Sequence, residues 1–348
     1  MSPVEVGAFA FDPFTETAHQ LNATAGMLLA ACDGERDLDE AVTAWADVAG
    51  VERDVVAGMA ALRELGLVGR DKPFVAPERP VGSVATPATS SRMGLVHPVI
   101  DYDIAFRSAE SQLIEAIDVF LGTGSEGRKA SMFFDVSTGP SGEVVLETDH
   151  EWRFPSRQAF FRQLTSVMNE YAVWTHSCAA LHAGAVRSPS GEVVLLPAPS
   201  GAGKSTLTGA FVAAGWDYLG DEAIGVRPGS CAAVGYPKRL AIDAGSRTVL
   251  GLPGSDLGDL DPSELRPGVQ RLTIEAGPIT RVLLPAYGEG AQMALTPLAP
   301  HEAVVELLAN TLNLARCGQP ALDAVCDLAA TVPVERLVHC DARKAVVQ

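Results

Sequence analysis

Leu195-Leu-Pro-Ala-Pro-Ser-Gly-Ala-Gly-Lys-Ser-Thr206 decides how most of this chain is read. The apolar run Val193 to Leu196 reads as a buried strand, and Ala198-Pro-Ser-Gly-Ala-Gly203 as a small-residue turn. Lys204-Ser205-Thr206 then open a helical stretch reaching Ala214. Strand, glycine-rich turn and helix in this order make the context of a phosphate-binding P-loop. Backbone N–H groups in such a turn face inward, and the helix N-terminus adds partial positive charge. Ser200, Gly201, Ala202, Gly203, Lys204, Ser205 and Thr206 are therefore expected to cradle the phosphates of a nucleotide. Lys204 would reach the β- and γ-phosphates, and the Ser205 hydroxyl would join a magnesium shell. Ala198 stands where the motif usually has its first glycine; the tightest backbone approach is expected at Gly201 and Gly203.

Working outward, 348 residues with 47% hydrophobic content suit two domains and a real core. No apolar run is long enough to span a bilayer. The N-terminus MSPVEVGAFAFDPF lacks the basic and apolar regions of a secretion signal, so a cytoplasmic protein is expected. Six scattered cysteines without a C-x-x-C pair suggest reduced thiols and no zinc site. A net charge of −17 opposes nucleic acid or an anionic membrane as partner.

Residues 1–72 read as a small module. Gly7 to Pro13 and the segment around His19 predict a short hairpin. Asn22 caps a helix, a second runs from Asp37 through Val42 and Trp45, and a third carries Val55, Met59 and Leu62 to Gly66. Leu67 to Asp71 would be a wing strand, giving a winged helix-turn-helix. Residues 1–80 hold 14 acidic against 6 basic residues, a net of −8, which leaves few cations for DNA phosphates. The run Asn22-Ala-Thr-Ala, then Cys32-Asp-Gly-Glu-Arg-Asp and Leu62-Arg-Glu-Leu-Gly-Leu-Val, resembles PqqD-like domains over roughly residues 5–70. That resemblance implies a module that binds a ribosomally made precursor peptide, which adds as an extra strand to an exposed sheet edge.

Residues 73–96, rich in proline, serine and threonine over most of their length, read as a linker. From residue 97 to 348 strands and helices alternate. A strand over Tyr102–Phe106 precedes a helix over Ser111–Leu121, and a hairpin turns at Gly139-Pro-Ser-Gly142. A long helix begins at Pro155, and Ala179 to Val186 is a strand. Gly251 to Gly268 reads as a long loop, and helices over His301–Leu314 and Leu322–Ala330 finish the chain. The class is α/β with a mixed sheet and antiparallel pairs.

His182 precedes the P-loop by one strand, and the acid pair Asp221-Glu222 follows Lys204 by 17 and 18 positions. Acids at the end of the next strand can hold magnesium and accept a hydroxyl proton, the two roles phosphoryl transfer needs. Leu181-His-Ala-Gly-Ala-Val186, the P-loop, and Gly215-Trp-Asp-Tyr-Leu-Gly-Asp221 resemble the HPr kinase/phosphorylase superfamily, most densely over residues 179–226. The resemblance implies an ATP-dependent Ser/Thr kinase with His182, Lys204, Asp221 and Glu222 in its machinery, and a homo-oligomer. Asp221 takes the metal-side position and Glu222 that of the family's base aspartate; which acid takes the proton stays open. The Glu-Ile-Arg-Gly signature tied to the family's phosphorylase activity is not visible, which favours a kinase only. Two other readings stand beside the peptide kinase: a kinase of a small hydroxyl compound such as free serine, and a nucleotide-switched scaffold. Lys238 and Arg239 either fold back on a phosphate or are solvated charges. His97, His150 and His301 carry no pattern and are placed on the surface.

Overall fold

The computed structural model describes residues 2–4, 7–15, 17–32, 52–69, 91–148, 150–175, 177–253, 259–272 and 275–346. The helix expected from Asp37 and most of the linker expected over 73–96 lie outside them. The protein is mixed α/β and carries four sheets among the described residues.

The first sheet is three-stranded and antiparallel: β1 (Ser2–Val4), β2 (Gly7–Asp12) and β3 (Thr17–Leu21). It contains the expected hairpin. Asn22 caps the helix Ala23–Ala31, its side chain accepting from the N–H of Ala25 at 2.8 Å. Leu28 packs there with Met59 and Leu62 of the helix Glu52–Glu64. Of the wing strand expected over Leu67–Asp71, residues 67–69 are described, and they bend without forming a strand. β2 also turns outward. Phe9 is buried in the core of the largest sheet, and β1 and β2 pack on the helix Gln319–Thr331.

The second sheet joins β4 (Arg92–Val99), β5 (Tyr102–Ser108), β6 (Met132–Thr138), β7 (Val144–Glu147) and β8 (Glu151–Phe154) in that order. Only β5 and β6 pair in parallel, because the helix Ser111–Leu121 crosses between them. That helix buries Leu113, Ile114, Ile117 and Leu121, a stripe of helical period, and ends at Gly122 in the left-handed region. The long helix starts at Arg157, two residues later than expected, because the Ser156 side chain caps it. β4 begins at Arg92, inside the stretch read as linker. His97 corrects the surface assignment: it is 1% exposed, with Nε2 2.9 Å from Asp118 and Nδ1 3.2 Å from the Thr123 hydroxyl. A histidine on an alternating strand with an acid on the neighbouring helix is a satisfied core group.

The third sheet carries the P-loop. Its strands are β9 (Ala179–Arg187), β10 (Val193–Pro197), β11 (Asp217–Gly220), β12 (Ala223–Val226) and β13 (Ala232–Val234). A two-stranded pair, β14 (Leu240–Ala241) and β15 (Asp259–Leu260), stands apart as the fourth sheet. β16 (Glu275–Pro278), β17 (Arg281–Tyr287), β18 (Ala294–Pro297) and β19 (Val334–His339) complete the third. The order is β16-β13-β12-β9-β10-β17-β19-β18, with β11 also on β9. β10, β17 and β19 run parallel, and the flanking strands are antiparallel. The segment read as a loop from Gly251 holds β15 and the helix Pro262–Leu265, started by a capping box from Asp261 to Glu264. The expected helix from His301 is split in two, Pro300–Ala309 and Leu314–Cys317. The connection between them is used: Asn310 C=O accepts from His182 N–H at 2.7 Å, and Leu312 N–H donates to Ala180. No helix among the described residues is long and apolar enough to cross a membrane.

The helix Ala244–Leu250 is capped by Asp243, whose carboxylate accepts from the N–H of Ser246 at 2.7 Å. Asp243→Ala is expected to cost about 1 kcal/mol of stability, read from the midpoint shift in urea.

Candidate active site

β10 is buried along its whole length and delivers the P-loop at the C-terminal edge of the parallel strands. Gly201 and Gly203 take φ of 82° and 86°, the left-handed region where a Cβ is strained. Ala198 is 1% exposed and its N–H donates to His182 C=O, so its methyl is buried. The helix Lys204–Ala213 then begins with N–H groups that have no intrahelical acceptor, aimed at the cavity. Its walls include Ser200, Gly201, Lys204, Ser205, Thr206 and Glu222, around a volume of about 570 Å³. Thr206 meets Ser246 hydroxyl to hydroxyl at 2.6 Å, holding the Asp243-capped helix beside the loop.

The structure places His182, Lys204, Asp221 and Glu222 side by side. Lys204 Nζ donates to the Asp221 C=O at 2.7 Å and lies 3.1 Å from His182 Nε2. His182 Nε2 is in turn 3.5 Å from Glu222 Oε1. With its proton on Nε2 the imidazole donates to Glu222; with the proton on Nδ1 it accepts from Lys204. Register explains the meeting: Ala223 pairs with His182 across β12 and β9, and Ala183 N–H donates to Glu222 C=O.

The two acids differ sharply. A bulge between Tyr218 and Gly220 re-aims the chain, and Gly220 passes the Tyr236 carbonyl so closely that a Cβ would sit 2.8 Å from it. Asp221 is thereby driven into the interior, fully buried, while Glu222 keeps about a third of its side chain exposed and faces the cavity. Asp221 Oδ1 accepts from Lys238 Nζ at 2.9 Å and from the Tyr218 hydroxyl at 3.0 Å. Its Oδ2 accepts from Ala241 N–H at 3.1 Å. Burial opposes its ionisation, but the charge and hydrogen bond of Lys238, the charge of Lys204 and a Ser205 hydroxyl bond outweigh it, holding the pKa below the ordinary aspartate value. The His182 bond, against burial, lowers that of Glu222. Burial lowers the pKa of Lys204, against the pull of Asp221 and Glu222.

Lys238 is neither of the things expected of it. It is 3% exposed and closes the buried pair with Asp221, while Arg239 stacks over Phe120 at 5.5 Å and faces Asp261. The signal that could have found it is a lysine following Gly-Tyr-Pro near an acid pair, too common to read alone. Sequence reasoning also missed Tyr287 and His339 in the cavity lining.

Residues 7–68 match the family model for coenzyme PQQ synthesis protein D (PqqD), so the chain carries a PqqD domain at its N-terminus. No curated protein matches the chain. Among solved structures it is similar to the HPr(Ser) kinase/phosphatase from Coxiella burnetii, at 12% identity over 48% of this chain and 89% of that one, with a TM-score of 0.27.

Proposed function

We propose that the protein is an ATP-dependent kinase that phosphorylates a serine or threonine hydroxyl on a precursor peptide held by its PqqD domain. The observation that carries this reading is one cavity holding a P-loop, its lysine, and a partly exposed carboxylate 3.5 Å from a histidine nitrogen. The P-loop amides and Lys204 hold the phosphates and neutralise charge on the transferring group. The acceptor oxygen forms its bond to the γ-phosphorus as the bond to the β–γ bridging oxygen breaks, and its proton passes to Glu222. His182 orients that carboxylate.

A magnesium ion fits the donor set. The cavity presents Ser205, Lys204 and two acids, Glu222 and Asp243, a balance that accepts a polyphosphate with its cation better than without. Bound there, the ion would neutralise phosphate charge. Ser205 and Glu222 would face it. Asp221, expected on the metal side, already accepts three donors and a bond from Ser205, so its place is behind Ser205, orienting it.

Incubating the protein with magnesium-ATP and candidate precursor peptides tests the reading by mass. A gain of one phosphate on a hydroxyl is expected, and Lys204→Ala should lower the rate about 10²- to 10³-fold without unfolding the protein. Nucleotide binding with no phosphorylated peptide would overturn it. A kinase of free serine is separated on the full chain, since removing residues 1–80 would open the core that Phe9 fills. Stripping the leader from the peptide should raise KM for a peptide kinase and leave a small-molecule kinase unaffected.

A further inference from the structure

Three parallel strands, β10, β17 and β19, end on the same cavity, and β10 supplies the P-loop. The other two end in Tyr287 and His339, which are direct register partners with ring centroids 6.0 Å apart at 71°. His339 is 2% exposed, and neither ring nitrogen has a hydrogen-bond partner among the described residues. Two unsatisfied polar atoms on a buried ring are costly unless something outside the chain completes them. Tyr287 is the reverse case, a large aromatic ring 59% exposed beside Gly203. Val249, also exposed, gives the cavity an apolar wall.

We propose that Tyr287 and His339 form the nucleobase subsite of this cavity, Tyr287 stacking on the base and His339 hydrogen-bonding its edge. The proposal rests on the nucleotide reading above. Burial lowers the pKa of His339, so the imidazole is neutral near pH 7 and offers one donor and one acceptor. The two nitrogens point apart, so one of them meets a donor or acceptor on the base edge, and the flat face of the base matches an exposed tyrosine. Ligands of open α/β sheets also lie beyond the C-terminal ends of parallel strands, where both residues sit.

Calorimetry on the full chain with magnesium-ADP and, separately, magnesium-pyrophosphate tests this. The wild type should bind ADP more tightly than pyrophosphate. Tyr287→Ala should weaken ADP about 5- to 100-fold and leave pyrophosphate unchanged. Tyr287→Phe should stay within about twofold of wild type. His339→Leu keeps the apolar volume, removes both nitrogens, and should weaken ADP alone; if it does not fold, the Tyr287 pair still decides. Equal wild-type affinity for the two ligands, unchanged ADP binding in Tyr287→Ala, or equal losses for both ligands would sink the subsite and leave the kinase reading standing. A wild type that binds neither ligand sinks both. Loss of peptide affinity with ADP binding intact would assign this wall to the acceptor instead.

Discussion

Glu222→Gln is expected to slow phosphoryl transfer about 10²- to 10⁴-fold while the affinity for ADP without magnesium stays near that of wild type. The amide keeps the size of the side chain and can still hydrogen-bond to His182, but it takes no proton from the acceptor. The wild-type pH profile adds a second check. The folded pKa of Glu222 lies below the ordinary glutamate value, so the base remains ionised as pH falls from neutral and activity is lost only once pH drops through that lowered pKa. On the alkaline side, the lowered pKa of Lys204 brings its loss of charge to a lower pH than an exposed lysine would show. The glutamine variant should lose the acid limb and keep the alkaline one. Rates within tenfold of wild type would remove Glu222 from the base position.

Lys238→Met should destabilise the protein by about 3–5 kcal/mol at neutral pH, because it leaves the carboxylate of Asp221 buried without its cation. The hydrogen bonds from Tyr218 and Ala241 remain and do not supply the missing charge. The pH dependence has a definite sign. In the wild type the folded pKa of Asp221 is depressed, so its contribution is present above the unfolded aspartate value and is lost as pH falls through the folded one. In the variant burial dominates and raises that pKa, so the deficit shrinks as acid protonates the carboxylate. Urea midpoints at several pH values measure both slopes. Asp221→Asn added to Lys238→Met should recover part of the loss; a loss below about 1 kcal/mol in the single variant would mean that water reaches the pair.

The P-loop was legible because everything it needs is contiguous: an apolar strand, two glycines able to take positive φ, and a lysine opening a helix. His182 and Glu222 were legible because a neighbouring hairpin brings them to the loop over short chain distances. The division of labour between the acids was not. It depends on the bulge before Gly220, which turns Asp221 inward, and on Lys238 arriving from the following turn. His97 shows the same limit, since its partner Asp118 comes from a helix whose inner stripe alone was readable. Tyr287 and His339 lie 52 positions apart and carry no motif; only parallel pairing of β17 and β19 sets them side by side.

Phe9 gives the N-terminal sheet an anchor in the same core that supports β9 and β10. β1 and β2 are fastened to the body through the helix Gln319–Thr331, and β3 is left at the outer edge. On the proposed reading, a leader that adds to β3 is held against a fixed frame and does not swing on a tether. The number of residues between leader and acceptor then works as a ruler. Acceptors would be chosen by their spacing from the leader more than by the residues around them, and lengthening or shortening that spacer should move the phosphorylated position along the peptide.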